Sequence, residues 1–375
     1  MNPNIYVFIG TIAELIKLFP IIKKMEKSNI SFKIIASNQN DILKSDLFSY
    51  IEKKEIIYIS KGPSKQSVIS VFFWFIKTLF SGYFKLKLEL NKKDTSIFII
   101  HGDTISTLIG GILGKILKSK IFHVEAGLRS FNFLRPFPEE LNRFIVSFLS
   151  DVSFCPNEWA VNNLIKRKSV KINTYNNTLI ESLLFAKTIN IENELLKSIP
   201  EDFFICVIHR QENIYNKKLI IYLIKKITEF SQQKKCIFIL HEPTKQVLKK
   251  YGLLNLLEGN KNILILGRLP YLLFTKILEK SDFIITDGGS NQEEAYYLGK
   301  TCLLLRKETE RIEGLNENVI ISKLKEDNIN EFFNNIKNKK FQNNTKIKIE
   351  KYPSDIIIEY IKNVENTDPI YFHKK

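Results

Sequence analysis

Residues 96–143 read SIFIIHGDTISTLIGGILGKILKSKIFHVEAGLRSFNFLRPFPEELNR. An apolar run at 96–100 leads through a turn into a helix-like stretch at 104–117 and a second apolar run at 120–124. A strand, a helix and a strand in that order point to a parallel sheet wrapped by helices. Asp103 and Glu125 stand just past the ends of the two apolar runs, and Glu139, Glu140 and Arg143 open the helix-like run after Pro138. Carboxylates beside apolar strand ends are costly to bury without partners, so this cluster reads as a site rather than as core. Glu139 and Glu140 have a second reading, since acids in a first helical turn also serve capping.

The same alternation runs outward in both directions. Upstream, an apolar run at 5–9 meets Gly10-Thr11 and a helix pattern at 14–25, which predicts a tight turn and a helix with a free backbone N-terminus, a geometry that holds phosphates. Strands are predicted at 30–36 and 56–59. Downstream, a strand at 152–155 precedes a helix from Glu158; the pattern fades at 167–177 and resumes with a helix near 179–195. A second series follows, with strands at 203–208, 236–240, 263–266, 283–286 and 302–305 separated by helices, and a last helix at 354–364. The fold class is therefore α/β, with two doubly wound Rossmann-like domains at 1–172 and 173–353 and a C-terminal helix and tail at 354–375. Ligands of such sheets sit outside the carboxyl ends of the strands, and two domains facing each other across those ends would form an interdomain cleft.

The length of 375 residues suits two domains, and the net charge of +16 favours anionic partners. No nucleic-acid motif accompanies that charge, so no nucleic-acid partner is expected. Cys155, Cys206, Cys236 and Cys302 lie in four separate strand-like runs without CxxC spacing, which predicts buried thiols in a reducing compartment and no metal site. The N-terminus MNPNIYVFIG lacks the basic start and cleavage site of a signal peptide, and the most apolar run, 68–76, is interrupted by Lys77 and is too short to span a bilayer. A cytoplasmic protein is expected. Residues 68–90, VISVFFWFIKTLFSGYFKLKLEL, mix aromatics with lysines on a helix pattern. They fit either a helix packed on the sheet or peripheral contact with the anionic inner face of a membrane through Lys77, Lys85 and Lys87.

HGDT (101–104), HVEAGLRS (123–130), RPFPEELNR (135–143), HRQEN (209–213) and a run from QEEAYYLGK to RKETER (292–311) stand in order along the chain. With these motifs the sequence resembles the non-hydrolysing UDP-N-acetylglucosamine 2-epimerases, a family of GT-B fold, over nearly its whole length. The resemblance implies a sugar-nucleotide 2-epimerase that interconverts UDP-GlcNAc and UDP-ManNAc, or a modified relative, for surface polysaccharide synthesis. It implies no cofactor, a UDP-sugar as partner and a homodimer as an option. A membrane-associated glycosyltransferase of the same fold is the alternative.

Carried over by motif, the resemblance makes Asp103, Glu125 and Glu139 the catalytic acids, with Arg143 in the same site and His209 at the leaving diphosphate. Gly288, Gly289 and Ser290 match a phosphate loop, Glu294 would hold the ribose hydroxyls, Phe274 would pack near uracil and Arg311 would face the nucleotide. Gly10, Lys17 and Gln39 complete the substrate-binding set. Ile12 and Ala13 stand where the family has Arg-Pro, and Asn176-Asn177 stand where it has Gly-Asn, asparagine being tolerant of the left-handed backbone.

Overall fold

Apolar runs of four to six residues, buried on both faces, form the central strands of two all-parallel sheets, whose edge strands are shorter or more exposed. The computed structural model describes residues 4–63, 68–90, 96–133, 136–338 and 349–366. Arg135 and most of the Lys-rich stretch 337–351 lie outside them.

The chain divides into two units, residues 1–182 with 349–375 and residues 183–348. The first unit opens with β1 (Asn4–Ile9), α1 (Ile12–Lys27), β2 (Phe32–Ala36), β3 (Ile56–Tyr58) and α2 (Val68–Glu89). It continues with β4 (Ser96–His101), α3 (Ile105–Ile116), β5 (Lys120–Val124), α4 (Glu139–Leu149), β6 (Val152–Cys155), α5 (Glu158–Asn163), β7 (Val170–Asn173) and α6 (Leu179–Thr188), whose last turns belong to the second unit. Then come α7 (Glu194–Ser198), β8 (Phe203–Val207), α8 (Gln211–Ile214), α9 (Lys217–Phe230), β9 (Lys235–Ile239), α10 (Glu242–Lys250) and α11 (Leu254–Glu258). The second unit closes with β10 (Ile263–Leu266), α12 (Tyr271–Lys280), β11 (Phe283–Thr286), α13 (Gly289–Tyr297), β12 (Thr301–Leu304), β13 (Val319–Ile321) and α14 (Glu326–Lys337), and α15 (Pro353–Asn366) returns to the first.

The strand orders are β3-β2-β1-β4-β5-β6-β7 and β10-β9-β8-β11-β12-β13. In each sheet the winding reverses once, between β1 and β4 and between β8 and β11, and a doubly wound sheet opens a crevice at the carboxyl ends of such a strand pair.

Several sequence expectations shift. The division falls after Ser182 rather than at 172/173, because β7 is the edge strand of the first sheet and pairs with β6. The fading pattern at 167–177 hid that strand: it is short and half-exposed, so its apolar signal is weak. The C-terminal helix α15 packs on α1 and sends Tyr360 against Phe122 and Phe154, so it belongs to the first unit. The helix predicted at 179–195 is two helices, since Asn193 caps α7 by accepting from the Leu195 N–H at 2.9 Å. β13 and α14 carry no counterpart in the sequence reading.

The largest correction concerns α2. Lys77 interrupts an apolar run in the sequence but not the helix, and residues Ile69–Glu89 are long and apolar enough to cross a membrane by length and composition. One side of α2 packs on the core: Trp74 and Leu86 are buried with Phe98, Ile109 and Leu113, and the Trp74 indole N–H donates to Ser60 Oγ at 2.8 Å. The opposite side is exposed.

Candidate active site

Asp103 and Glu125 follow β4 and β5, beside the reversal of the first sheet, and each pairs with a cation. Glu125 follows β5 with a left-handed backbone (φ 62°) beside Gly102, whose own φ is 67°. Lys17, buried on the second turn of α1, places Nζ 2.5 Å from Glu125 Oε2. Asn177 donates its side-chain N–H to the same oxygen, and His101 Nε2 lies 3.9 Å from it. The expected left-handed asparagine is not what the Asn-Asn pair supplies. Tyr175 takes that conformation (φ 61°), and Asn177 contributes a buried donor instead.

Asp103, just past β4, pairs with the Arg143 guanidinium, and Asn142 Nδ2 donates to the Asp103 carbonyl at 2.8 Å. The two adjacent glutamates of α4 divide their work. Glu140 is fully buried; its carboxylate sits 2.5 Å from Arg129 Nε and 3.3 Å from Arg143 Nη1, and accepts the Ser130 and Phe131 N–H groups. Glu140 therefore builds the 129–131 loop, while Glu139 is half-buried one helical turn before Arg143. His123 Nε2 donates to the Gly102 carbonyl (2.8 Å), and burial holds its imidazole below its ordinary range.

The start of α1 is not the open phosphate cradle predicted from Gly10-Thr11. Glu14 reaches back to accept the N–H groups of Gly10 and Thr11 at 2.6 and 2.8 Å, and Thr11 Oγ accepts from Glu14 N, a closed capping box. Thr104 and Thr107 of the next crossover also donate to Glu14, and burial pushes its carboxyl up despite these bonds. Gly10 is required for space: a Cβ there would lie 1.9 Å from Ser106 Oγ. Gln39 accepts from both the N–H and the hydroxyl of Ser106.

In the second unit the reversal between β8 and β11 holds His209 and Asp287. The Asp287 carboxylate is completely buried and accepts from His209 N, Arg210 N and Asn213 Nδ2 at 2.9–3.1 Å, with His209 Nδ1 at 3.0 Å. Burial alone would raise the Asp287 carboxyl, but His209 and the backbone N–H donors hold it below the usual range. The His241 ring lies tilted, 5.0 Å from that of His209, and burial together with the neighbouring His209 and Arg268 pushes it down to about 4.

Gly288 caps α13 without any side-chain hydrogen bond, so the first N–H groups of that helix keep their anion-binding capacity. Both glycines are dictated by close approach. A Cβ on Gly288 would come within 2.6 Å of Asn291 Oδ1, and one on Gly289 within 2.8 Å of Arg311 Nε and 3.1 Å of Arg306 Nη2. Arg311 pairs with Glu293 at 2.7 Å, and Arg306 pairs with Glu310 at 2.8 Å while its Nε donates to the Asp287 carbonyl. Glu294 is buried on α13 and accepts from Asn291 Nδ2. Ser290 is the second residue of α13, whereas Phe274 is half-buried on α12 against the sheet core.

Sequence reasoning placed Glu140 in the acidic cluster and Asp287 at a strand end without giving either a role, and gave none to Asn213, Arg306 or Asn177. Asn213 closes the HRQEN motif, so position alone could have flagged it. Among the described residues no group of His, Cys, Asp and Glu has metal-binding geometry.

Known proteins resemble this arrangement over most of the chain. A family model described as UDP-N-acetylglucosamine 2-epimerase matches residues 77–356. The UDP-N-acetylglucosamine 2-epimerase of Methanocaldococcus jannaschii is 33% identical over 339 residues, covering 85% of this chain and 88% of the relative. The crystal structure of the M. jannaschii UDP-GlcNAc 2-epimerase in complex with UDP-GlcNAc and UDP superposes with a TM-score of 0.81 at 29% identity, over 97% of this chain and 100% of that one. The Neisseria meningitidis UDP-GlcNAc 2-epimerase bound to UDP-GlcNAc gives a TM-score of 0.80 at 28% identity, over 96% and 100%.

Proposed function

The chain belongs to the UDP-N-acetylglucosamine 2-epimerase family, and from that premise we propose that it is a non-hydrolysing sugar-nucleotide 2-epimerase interconverting UDP-GlcNAc and UDP-ManNAc, or a modified relative, for surface polysaccharide synthesis. The observation that carries the reading is the pair of carboxylates at the first sheet's reversal, each matched to a buried cation: Glu125 with Lys17 and Asp103 with Arg143.

The C2 proton of the sugar is very weakly acidic, so its removal needs a carboxylate that is ionised and fixed. The cation beside each carboxylate and the hydrogen bonds to it fix its direction. One acid takes the C2 proton; the C–H electron pair becomes the C1–C2 double bond, and the C1–oxygen bond breaks with its electrons leaving on UDP. In the reverse step a diphosphate oxygen of UDP attacks C1 and a proton is delivered to the other face of C2. Asp103, Glu125 and Glu139 are the candidates for these proton transfers. Charge develops on the departing diphosphate, for which the uncapped start of α13 with Gly288, Gly289 and Ser290, and His209 oriented by Asp287, are suited donors. Glu294, Arg311 and Phe274 are assigned to the nucleoside end, and Gly10 and Gln39 shape the sugar side through their packing with Ser106.

The test is incubation with UDP-GlcNAc in heavy water, read by proton NMR. The reading predicts a second sugar nucleotide and deuterium at C2 of both, with no acceptor added; intact C2–H in UDP-GlcNAc and in modified UDP-sugars alike would sink it. A glycosyltransferase would instead stay silent until an acceptor is supplied. We place the enzyme in the cytoplasm, where such UDP-sugars are made. A homodimer, and a peripheral contact of residues 68–90 with anionic lipid, are further parts of this proposal.

A further inference from the structure

Arg306 stands just past β12, and its guanidinium is buried against the start of α13. Nε donates to the Asp287 carbonyl and Nη1 to Glu310 Oε2, each at 2.8 Å. Nη2 lies against Gly289, where a Cβ would stand 3.1 Å away. It is fully buried and, among the described residues, has no hydrogen-bond partner. A guanidinium cannot shed its charge and carries more N–H donors than one carboxylate and one carbonyl can match. Burying such a group partly unmatched is costly. The residues just before it, Leu304 and Leu305, are core side chains, so a purely structural role would be met at lower cost by another apolar residue.

The surroundings add positive charge rather than remove it. Arg311 also reaches Gly289, with Nε 2.8 Å from the same Cβ position, and is paired with Glu293. Burial presses hardest on the charged form of Arg306; Glu310 supports that form, and the like charges of Arg210 and Arg311 oppose it. Glu310 is itself shared, its other oxygen lying 3.9 Å from Arg311 Nε. The segment that carries these groups is strapped to α13 by the buried Gln292. Its Nε2 donates to the carbonyls of Arg311 and Glu313 at 3.2 and 3.0 Å, and its Oε1 accepts from the Thr309 hydroxyl at 2.9 Å. The charges are therefore fixed in advance of any ligand, the arrangement that makes electrostatic recognition effective.

We propose, resting on the assignment of the diphosphate to the α13 opening, that Arg306 is a positioning residue for that diphosphate. Through Nε it holds the Asp287 carbonyl, and with it the turn that leads into the uncapped N–H groups of α13. Its charge adds to the positive end of the helix from behind Gly289. The start of α1 is the contrast: there a glutamate takes the first N–H groups, whereas at α13 a buried cation backs them. A guanidinium that only tied β12 to α13 would support every ligand of the opening alike. One that acts by charge supports the phosphates and leaves the nucleoside indifferent.

The experiment is titration of the full chain with UDP and with uridine by ligand-observed NMR, for the wild type and for Arg306→Met, Arg306→Lys and Glu310→Gln, with folding checked by circular dichroism. Arg306→Met should raise the dissociation constant for UDP about 30-fold and that for uridine less than about threefold, a charged partner being worth about 10- to 150-fold. Arg306→Lys keeps the charge without the fork and should bring UDP back to within about tenfold of the wild type. Glu310→Gln keeps an acceptor for Nη1 but removes a negative charge beside the opening, so UDP should bind about threefold more tightly; that variant decides the matter if Arg306→Met fails to fold. Equal losses for UDP and uridine, a folded Arg306→Met that binds UDP as the wild type does, or a Glu310→Gln that binds UDP no more tightly would each overturn the inference and leave the diphosphate reading standing. A wild type that does not bind UDP would overturn both.

Discussion

Asp287→Asn is the substitution that most sharply separates a site built around His209 from a merely buried polar cluster. Both carboxylate oxygens of Asp287 face donors: His209 N and Nδ1 on Oδ1, and Arg210 N and Asn213 Nδ2 on Oδ2, with His209 N close to both. An amide of the same shape must point its NH2 at one of these groups, so one set of donors loses its acceptor and meets another donor. Hydrogen bonds to charged groups contribute about 1.5–3 kcal/mol each, and losing one or two at a fully buried position gives an expected destabilisation of about 3 kcal/mol, read by urea unfolding at pH 7. The sign of the pH effect follows from the depressed carboxyl. Because Asp287 titrates lower folded than unfolded, its contribution is present above about pH 4 and is lost as pH falls through the folded value, so the variant should lose less stability than the wild type in that acid range. In turnover, the imidazole loses the partner that fixes Nδ1, and kcat should fall about 100-fold or more, with KM changed far less. Wild-type turnover together with unfolding within about 0.5 kcal/mol of wild type would refute the reasoning.

Lys17→Met leaves Glu125 buried without its ammonium partner; breaking such a pair costs about 3–5 kcal/mol, and Asn177 keeps the expected loss near the lower figure, measurable by urea unfolding together with a fall in kcat. Gly289→Ala adds a Cβ against two ion-paired arginines, so the start of α13 must shift: KM for the UDP-sugar should rise about tenfold while kcat stays within about threefold, on the binding-versus-chemistry split of mutant kinetics. Glu181 caps α15 through Ser354 N and Oγ at 2.8 and 2.5 Å, and burial raises its carboxyl to about 7. Its folded value lies above the unfolded one, so the folded protein holds the extra proton and stability should decline from about pH 4.5 to pH 7. Glu181→Gln should flatten that slope in thermal melts, and an unchanged slope would show that the carboxyl does not titrate there.

What the sequence made legible follows from the range of the interactions involved. A parallel strand buried on both faces announces itself in four or five consecutive apolar residues, so β1, β4, β5, β8 and β11 could be read without partners. The half-exposed edge strand β7 could not, because only its pairing with β6 makes it a strand. The same limit separates Glu139 from Glu140. Both open α4 after Pro138, and nothing local says that Glu140 turns inward to Arg129 and Arg143 while Glu139 stays half-buried.

The two helix starts carry the point furthest. Gly10-Thr11 before α1 and Gly288-Gly289 before α13 look alike in sequence, each a glycine turn between a strand and a helix. At α1, Glu14 stands three residues past Thr11 and takes the N–H groups that an anion would need. At α13 the third residue after the cap is Asn291, whose side chain goes to Thr286 and Glu294 and leaves the opening uncapped. The α13 opening and the His209–Asp287 pair are therefore the donors that the proposed function assigns to the diphosphate.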